Sequence, residues 1–317
     1  MKKTYKFLVK NLPFILFGTL ATSILGVVAL YLGYNSITSR LKLDGACTII
    51  FAILAIASVG YSIYVTAKTP DIHVKKIKRN APFLRIMSCL AFCITLFIFG
   101  FELVKIIVAS YQESFSSYFS LWRVLRFTFA LPCSLYFLFM SLPSKFKRKR
   151  IKISKSAWYV CSVGTILWAV FGLLSSYFYK QLTTMNVLKI WHLIVYLSIA
   201  LFFLFEAKFE HINQSPRAYI FFGCLSFILS MSFSLTNLIC LTVGTIPAYN
   251  SFSTTDLLCT TILGLYAFSR ICAIPYTIKH VMQTSDVSMH SHSEHRRSHK
   301  GHSHKSSSEH KHNDNQL

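Results

Sequence analysis

The sequence predicts an all-α fold, a polytopic bundle of about eight transmembrane helices followed by a disordered tail. Three observations lead there. A helix needs about 20 mostly apolar residues to cross the hydrocarbon, and such stretches recur eight times along the 317 residues. The mean hydropathy is +0.49 and only 14% of residues are charged, where soluble domains carry roughly a quarter. None of the stretches alternates residue by residue, as the strands of a membrane barrel must.

Residues 1–278 therefore read as one integral membrane domain and residues 279–317 as a separate tail rich in His, Ser and Lys. The first span, 12–34, follows Lys2, Lys3, Lys6 and Lys10. It exceeds the about 7–15 apolar residues of a signal peptide and is expected to stay as an uncleaved helix. Its Gly18, Thr22, Gly26, Ala29 and Gly33 form a stripe of small residues, the signature of a close helix contact in lipid. The second span is 46–66. The third, 84–109, carries Glu102 and Lys105. The fourth, 119–142, carries Arg123 and Arg126, with Pro132 at its middle, where a missing donor favours a kink. The fifth is 157–179. The sixth, 186–206, carries Lys189 and His192 and ends on Glu206. The seventh, 217–244, has Ser226, Ser230 and Ser234 at four-residue spacing, then Asn237. The eighth, 255–277, opens on Asp256 and holds Arg270.

Lys and Arg mark the cytoplasmic side of a membrane protein. The first segment and the second, fourth and sixth loops hold 19 of them, while the intervening loops hold Arg40, Lys42 and Lys180 alone. Both termini are thus expected in the cytoplasm, in a multi-pass protein of the cell membrane. This distribution also accounts for the net charge of +22 without a nucleic-acid partner, because the basic residues flank spans rather than form a phosphate-binding face. The partner it does imply is the bilayer. The nine cysteines sit in or at the edge of apolar segments with no CxxC pair, and read as small packing residues. A faint internal repeat links residues 111–116 to 249–253.

Ionisable groups inside a membrane are costly, so they usually face protein or water and often mark function. Three spans each carry a polar pair at i, i+3, a spacing that places both members on one helix face. The pairs are Glu102/Lys105, Arg123/Arg126 and Lys189/His192. Helical rise places all three in the outer half of the bilayer, with Glu102 and Arg126 both about 11–12 Å deep. A Glu102–Arg126 ion pair is the specific contact expected. With Asn237 and Asp256, these residues would line an outward-facing cavity, net +2 with His192 neutral, suited by its guanidinium forks to a carboxylate or phosphate. The alternative is structural: Lys105, Arg123 and Lys189 reach the interface along their aliphatic stems, and Glu102 and Arg126 pair for packing. Toward the cytoplasm, Glu206 and Arg270 either pair or each reach the interface.

The tail holds His290, His292, His295, His302 and His304 at His-x-His and His-x-x-His spacings, which can chelate Zn, Cu or Ni through neutral imidazoles. It has too few large apolar residues to fold alone. The spans lack the paired His and Asp ligands of a cation-efflux pump, so no cofactor is assigned. No GxxxxGK[ST], GxSxG, HExxH or GxGxxG motif is present, and the protein is not expected to be an enzyme. The reading is a transporter-like or ligand-binding membrane protein for a small anion or a lipid head group. The rival is a noncatalytic subunit or regulator that docks a protein partner, or binds metal, through its tail.

Overall fold

Backbone amides have no water to bond inside hydrocarbon, so each crossing segment closes its hydrogen bonds within itself. In the computed structural model the chain does this in eight helices, each long and apolar enough to cross a membrane. The structure describes residues 2–35, 40–41, 45–69, 81–111, 121–142, 154–178, 187–212, 216–246 and 253–302, the side chains of 35, 40–41, 109–111, 155, 211–212 and 283–302 excepted. The helices are α1 (Lys2–Gly33), α2 (Ala46–Lys68), α3 (Pro82–Tyr111), α4 (Leu121–Ser141), α5 (Lys155–Tyr177) and α6 (Val187–Ile212), then α7 (Pro216–Thr242) and α8 (Thr254–His302). Among the described residues the only extended pairing is a two-residue antiparallel ladder, Tyr34–Asn35 with Arg40–Leu41, joining α1 to α2.

The eight spans fall where hydropathy places them, and the boundaries move for identifiable reasons. Helix α1 begins ten residues before the apolar run, because lysine is a good helix former and its charged head needs no core. Helix α8 runs on to His302, past the domain boundary drawn at 278. No Gly or Pro stands between Tyr276 and Lys300 to stop it. The loops of the faint repeat lie mostly outside the described residues, as do most of the basic loop residues that set the expected orientation.

Helix α8 is the spine of the bundle. Its span is 78% buried, against 22% for α2 and for α3. It packs on α3, α6, α7 and α1, while α3, α4, α5, α6 and α7 follow one another around it and α2 docks on α1 and α7. Small residues make these approaches possible. A Cβ on Gly264 of α8 would stand 2.4 Å from the Cβ of Ser230 on α7, and one on Gly26 of α1 would stand 2.8 Å from the ring of Phe51 on α2. The stripe on α1 and the serines of α7 are thus contact faces: Thr22 meets Ser58, Ser226 donates to the Ser198 carbonyl, and Thr260 donates to Ser234. Within α7, Ser230–Leu235 forms a π-helical segment, a widened turn that frees a local backbone bond and often accompanies a functional region. Phe14, Phe17, Ile24 and Ile56 project outward, as a lipid-facing surface requires.

Candidate functional site

Near the start of α4 and the start of α8, polar side chains from four helices enclose a cavity of about 90 Å³, enough for several water-sized occupants. Helix α3 contributes Glu102 and Lys105, α4 contributes Arg123 and Arg126, and α5 contributes Trp168, Ser175 and Ser176. Ser253 and Asp256 enter from the head of α8. Four of the residues singled out as ligand-binding from the sequence, Glu102, Lys105, Arg123 and Arg126, therefore share one wall.

The local chemistry explains how Asp256 is held. Ser253 stands just before α8, accepts from the Asp256 amide at 3.2 Å, and donates its hydroxyl to Asp256 Oδ2 at 3.0 Å. This reciprocal arrangement satisfies an orphan amide at the helix start. Oδ1 is left to face inward, where Arg126 Nη2 donates to it at 2.7 Å and to the Tyr196 hydroxyl at 2.6 Å. The guanidinium also lies over the rings of Trp168 and Tyr196, 5.2 and 5.4 Å from their centroids. Tyr196 can stand there because α5 has Gly172 opposite, where any Cβ would be 2.6 Å from the ring.

The expected Glu102–Arg126 pair is replaced by Arg126–Asp256. Glu102 instead pairs with Lys105 on its own helix at 3.3 Å, on the half-exposed side of the cavity. The depth argument placed Glu102 and Arg126 level with each other, but level residues meet only when their helix faces are turned together. Asp256, which opens α8 from the same side, has the shorter reach. Lys189, His192 and Asn237 do not line the cavity. Lys189 is buried on α6, 6.0 Å from the Tyr177 ring centroid. His192 is buried edge-on to Tyr196, at a centroid distance of 4.9 Å, within the electrostatic reach of Arg126 and Asp256. It stands behind the cavity wall. Asn237 is buried in the last turns of α7. Without Lys189 the lining carries three cations and two carboxylates, a net +1 rather than +2.

Ser175 and Ser176 of the lining escaped the sequence reading, and so did the two aromatic residues around Arg126. Trp168 and Tyr196 are both fully buried, and neither has a charge to draw attention inside an aromatic-rich span. Their positions follow from Arg126, since a buried guanidinium needs aromatic faces and acceptors around it. Among the described residues, two buried donors of the cavity wall have no acceptor, Arg126 Nε and the Trp168 indole N–H.

A second buried charge cluster lies farther along α8. Arg270 donates to Glu206 through Nε and to Glu210 through Nη2, the latter at 2.6 Å. Of the two alternatives left open for Glu206 and Arg270, pairing is what the structure shows, and Glu210 is the member the sequence reading omitted. Among the described residues no group of three or more His, Cys, Asp or Glu is placed to hold a metal. The side chains of His290, His292, His295 and His302, and all of His304, lie outside the described residues.

No family model, curated protein or solved structure matches this chain.

Proposed function

We propose that this multi-pass membrane protein captures a small anion, a free phosphate or carboxylate or the head group of an anionic lipid, in the cavity at Arg126. One observation carries the reading: Arg126 Nε and the Trp168 indole N–H are buried in residues that line the cavity, with no acceptor among the described residues. A buried donor without a partner costs free energy comparable to a lost hydrogen bond. Neither group can accept, so an oxygen-rich ligand is what completes them. The net +1 of the lining and the hydroxyls of Ser175 and Ser176 agree with that choice.

In this reading the cavity faces the exterior and both termini face the cytoplasm, a sidedness that the loop charges support. The Arg126–Asp256 pair fixes the guanidinium beside the cavity, because Asp256 accepts from Nη2. A transporter-like cycle then needs only that the ligand compete with Asp256 for Arg126.

The test is the thermal unfolding midpoint of the purified protein in nanodiscs. Inorganic phosphate added to neutral-lipid discs should raise the midpoint if the ligand is a free anion. Phosphatidic acid in the discs should raise it without phosphate if the ligand is a head group. Arg126→Gln should abolish either rise, and Arg126→Lys should retain only part, since a point charge does not reproduce the fork. Midpoints that follow neither phosphate nor anionic lipid in the wild type would sink the proposal.

A further inference from the structure

Roughly four turns along α8 from Asp256, about 21 Å by helical rise, the bundle encloses its second ionic cluster. Arg270 is fully buried and Glu206 nearly so. Glu206 Oε1 accepts from Arg270 Nε and from the Tyr266 hydroxyl, the latter at 3.1 Å. The same guanidinium gives Nη2 to Glu210, one turn further along α6. Arg270 thus divides its charge between two carboxylates, and Glu206 does not have it alone.

Among the described residues, Glu206 Oε2 is buried with no hydrogen-bond partner, and Tyr219 on α7 stands against Arg270. Among the described residues, the charged and titratable groups facing Glu206 are Arg270 and Tyr266 from α8, Glu210 from α6, Tyr219 from α7 and Tyr136 from α4. Beyond Lys155 at its start, α5 carries no charged residue. Lys208, between the two glutamates in sequence, lies over the Phe205 ring instead.

An ionised carboxylate oxygen buried with no donor is a high-energy arrangement, and two carboxylates sharing a site favour protonation of one of them. We propose that Glu206 is a proton-binding site, its Oε2 taking a proton from water near the adjacent end of the bundle. The proton forms an O–H bond on Oε2 while Oε1 keeps its bonds to Arg270 and Tyr266, and the carboxylate charge is lost. Glu210, 12% exposed on the same helix and sharing Arg270, gives a route between that water and Glu206. A metal cation is the weaker occupant, because Arg270 stands inside the cluster and repels it, whereas a proton binds a single oxygen covalently. Proton-carrying carboxylates within spans are a recurring part of pumps and transporters. This site is separate from the anion cavity and stands or falls without it.

Difference infrared spectroscopy of the full-length protein in lipid, from about pH 5 to about pH 9, tests the assignment. The wild type should show the carbonyl band of a buried protonated carboxylic acid at neutral pH. Glu206→Gln, which keeps the shape of the side chain, should remove it. Glu210→Gln, which leaves Arg270 to Glu206 alone, should keep the band but move its loss to lower pH. Glu102→Gln, at the other end of the bundle, should leave it unchanged. A wild type without the band, a band that survives Glu206→Gln, one whose midpoint ignores Glu210→Gln, or one displaced by sodium ions would overturn the proposal. The wild-type spectrum decides even if a variant fails to fold.

Discussion

Arg126 shows how much a single side chain can coordinate when it is the meeting point of three helices. It touches Asp256 on α8 and Tyr196 on α6, and lies over Trp168 on α5. Arg126→Ala should therefore loosen the bundle as well as the cavity. Truncating one member of a fully buried pair typically costs about 3–5 kcal/mol. Here the loss should be smaller, because Asp256 retains 24% exposure to solvate its charge. Denaturant titration of the purified variant checks it. Gly172→Ala separates the two roles. It adds one methyl, removes no charge, and forces the Tyr196 ring to shift from its place against Arg126. The expected outcome is a weaker response to phosphate or phosphatidic acid with the cavity charges intact; an unchanged response would show that Tyr196 does not position the guanidinium. The sequence made Arg126 conspicuous, since a basic residue about 11 Å into hydrocarbon needs a reason. It could not reveal Asp256 as the partner, because depth follows from residue counting while the direction a helix faces follows from packing.

At the level of elements, helix positions were legible and helix neighbours were not. Continuous apolar runs of span length have one way to satisfy their amides in lipid, so α2 through α7 lie within a few residues of their expected bounds, the sixth span excepted. That span was ended at Glu206, yet α6 continues to Ile212, because a charge paired with Arg270 on α8 does not end a helix. The same early stop hid Glu210. The contact between α7 and α8 was half legible: the serines of α7 announced a close face, and Gly264 on α8 answers it without belonging to any stripe. Gly264→Ala gains helix propensity of about 1 kcal/mol but drives a methyl into Ser230, an overlap costing typically about 1–3 kcal/mol. A net lowering of the unfolding midpoint is expected, with partial recovery in Gly264→Ala combined with Ser230→Gly, where the opposing Cβ is removed. An unaltered midpoint in the single variant would mean that the π-helical segment yields at a cost no larger than the propensity gain.

For the whole molecule, the expectation that can be tested soonest is orientation. If the proposed topology holds, protease added outside sealed, right-side-out vesicles should spare residues 283–317, and should remove them once the vesicles are opened. Cleavage in sealed vesicles would reverse the proposed sidedness and put the Arg126 cavity on the cytoplasmic face. Helix α8 also imposes an order on synthesis. The chain emerges from its N-terminus, so Arg126 and Glu206 enter the membrane before Asp256 and Arg270 exist to meet them. Both await the same last helix. Until it arrives, Arg126 lacks Asp256, and Glu206 and Glu210 lack Arg270. A ribosome stalled ahead of residue 254 would leave a product with both clusters unpaired, and its rapid turnover relative to the chain carrying α8 would show that α8 is the step that commits the bundle to its fold.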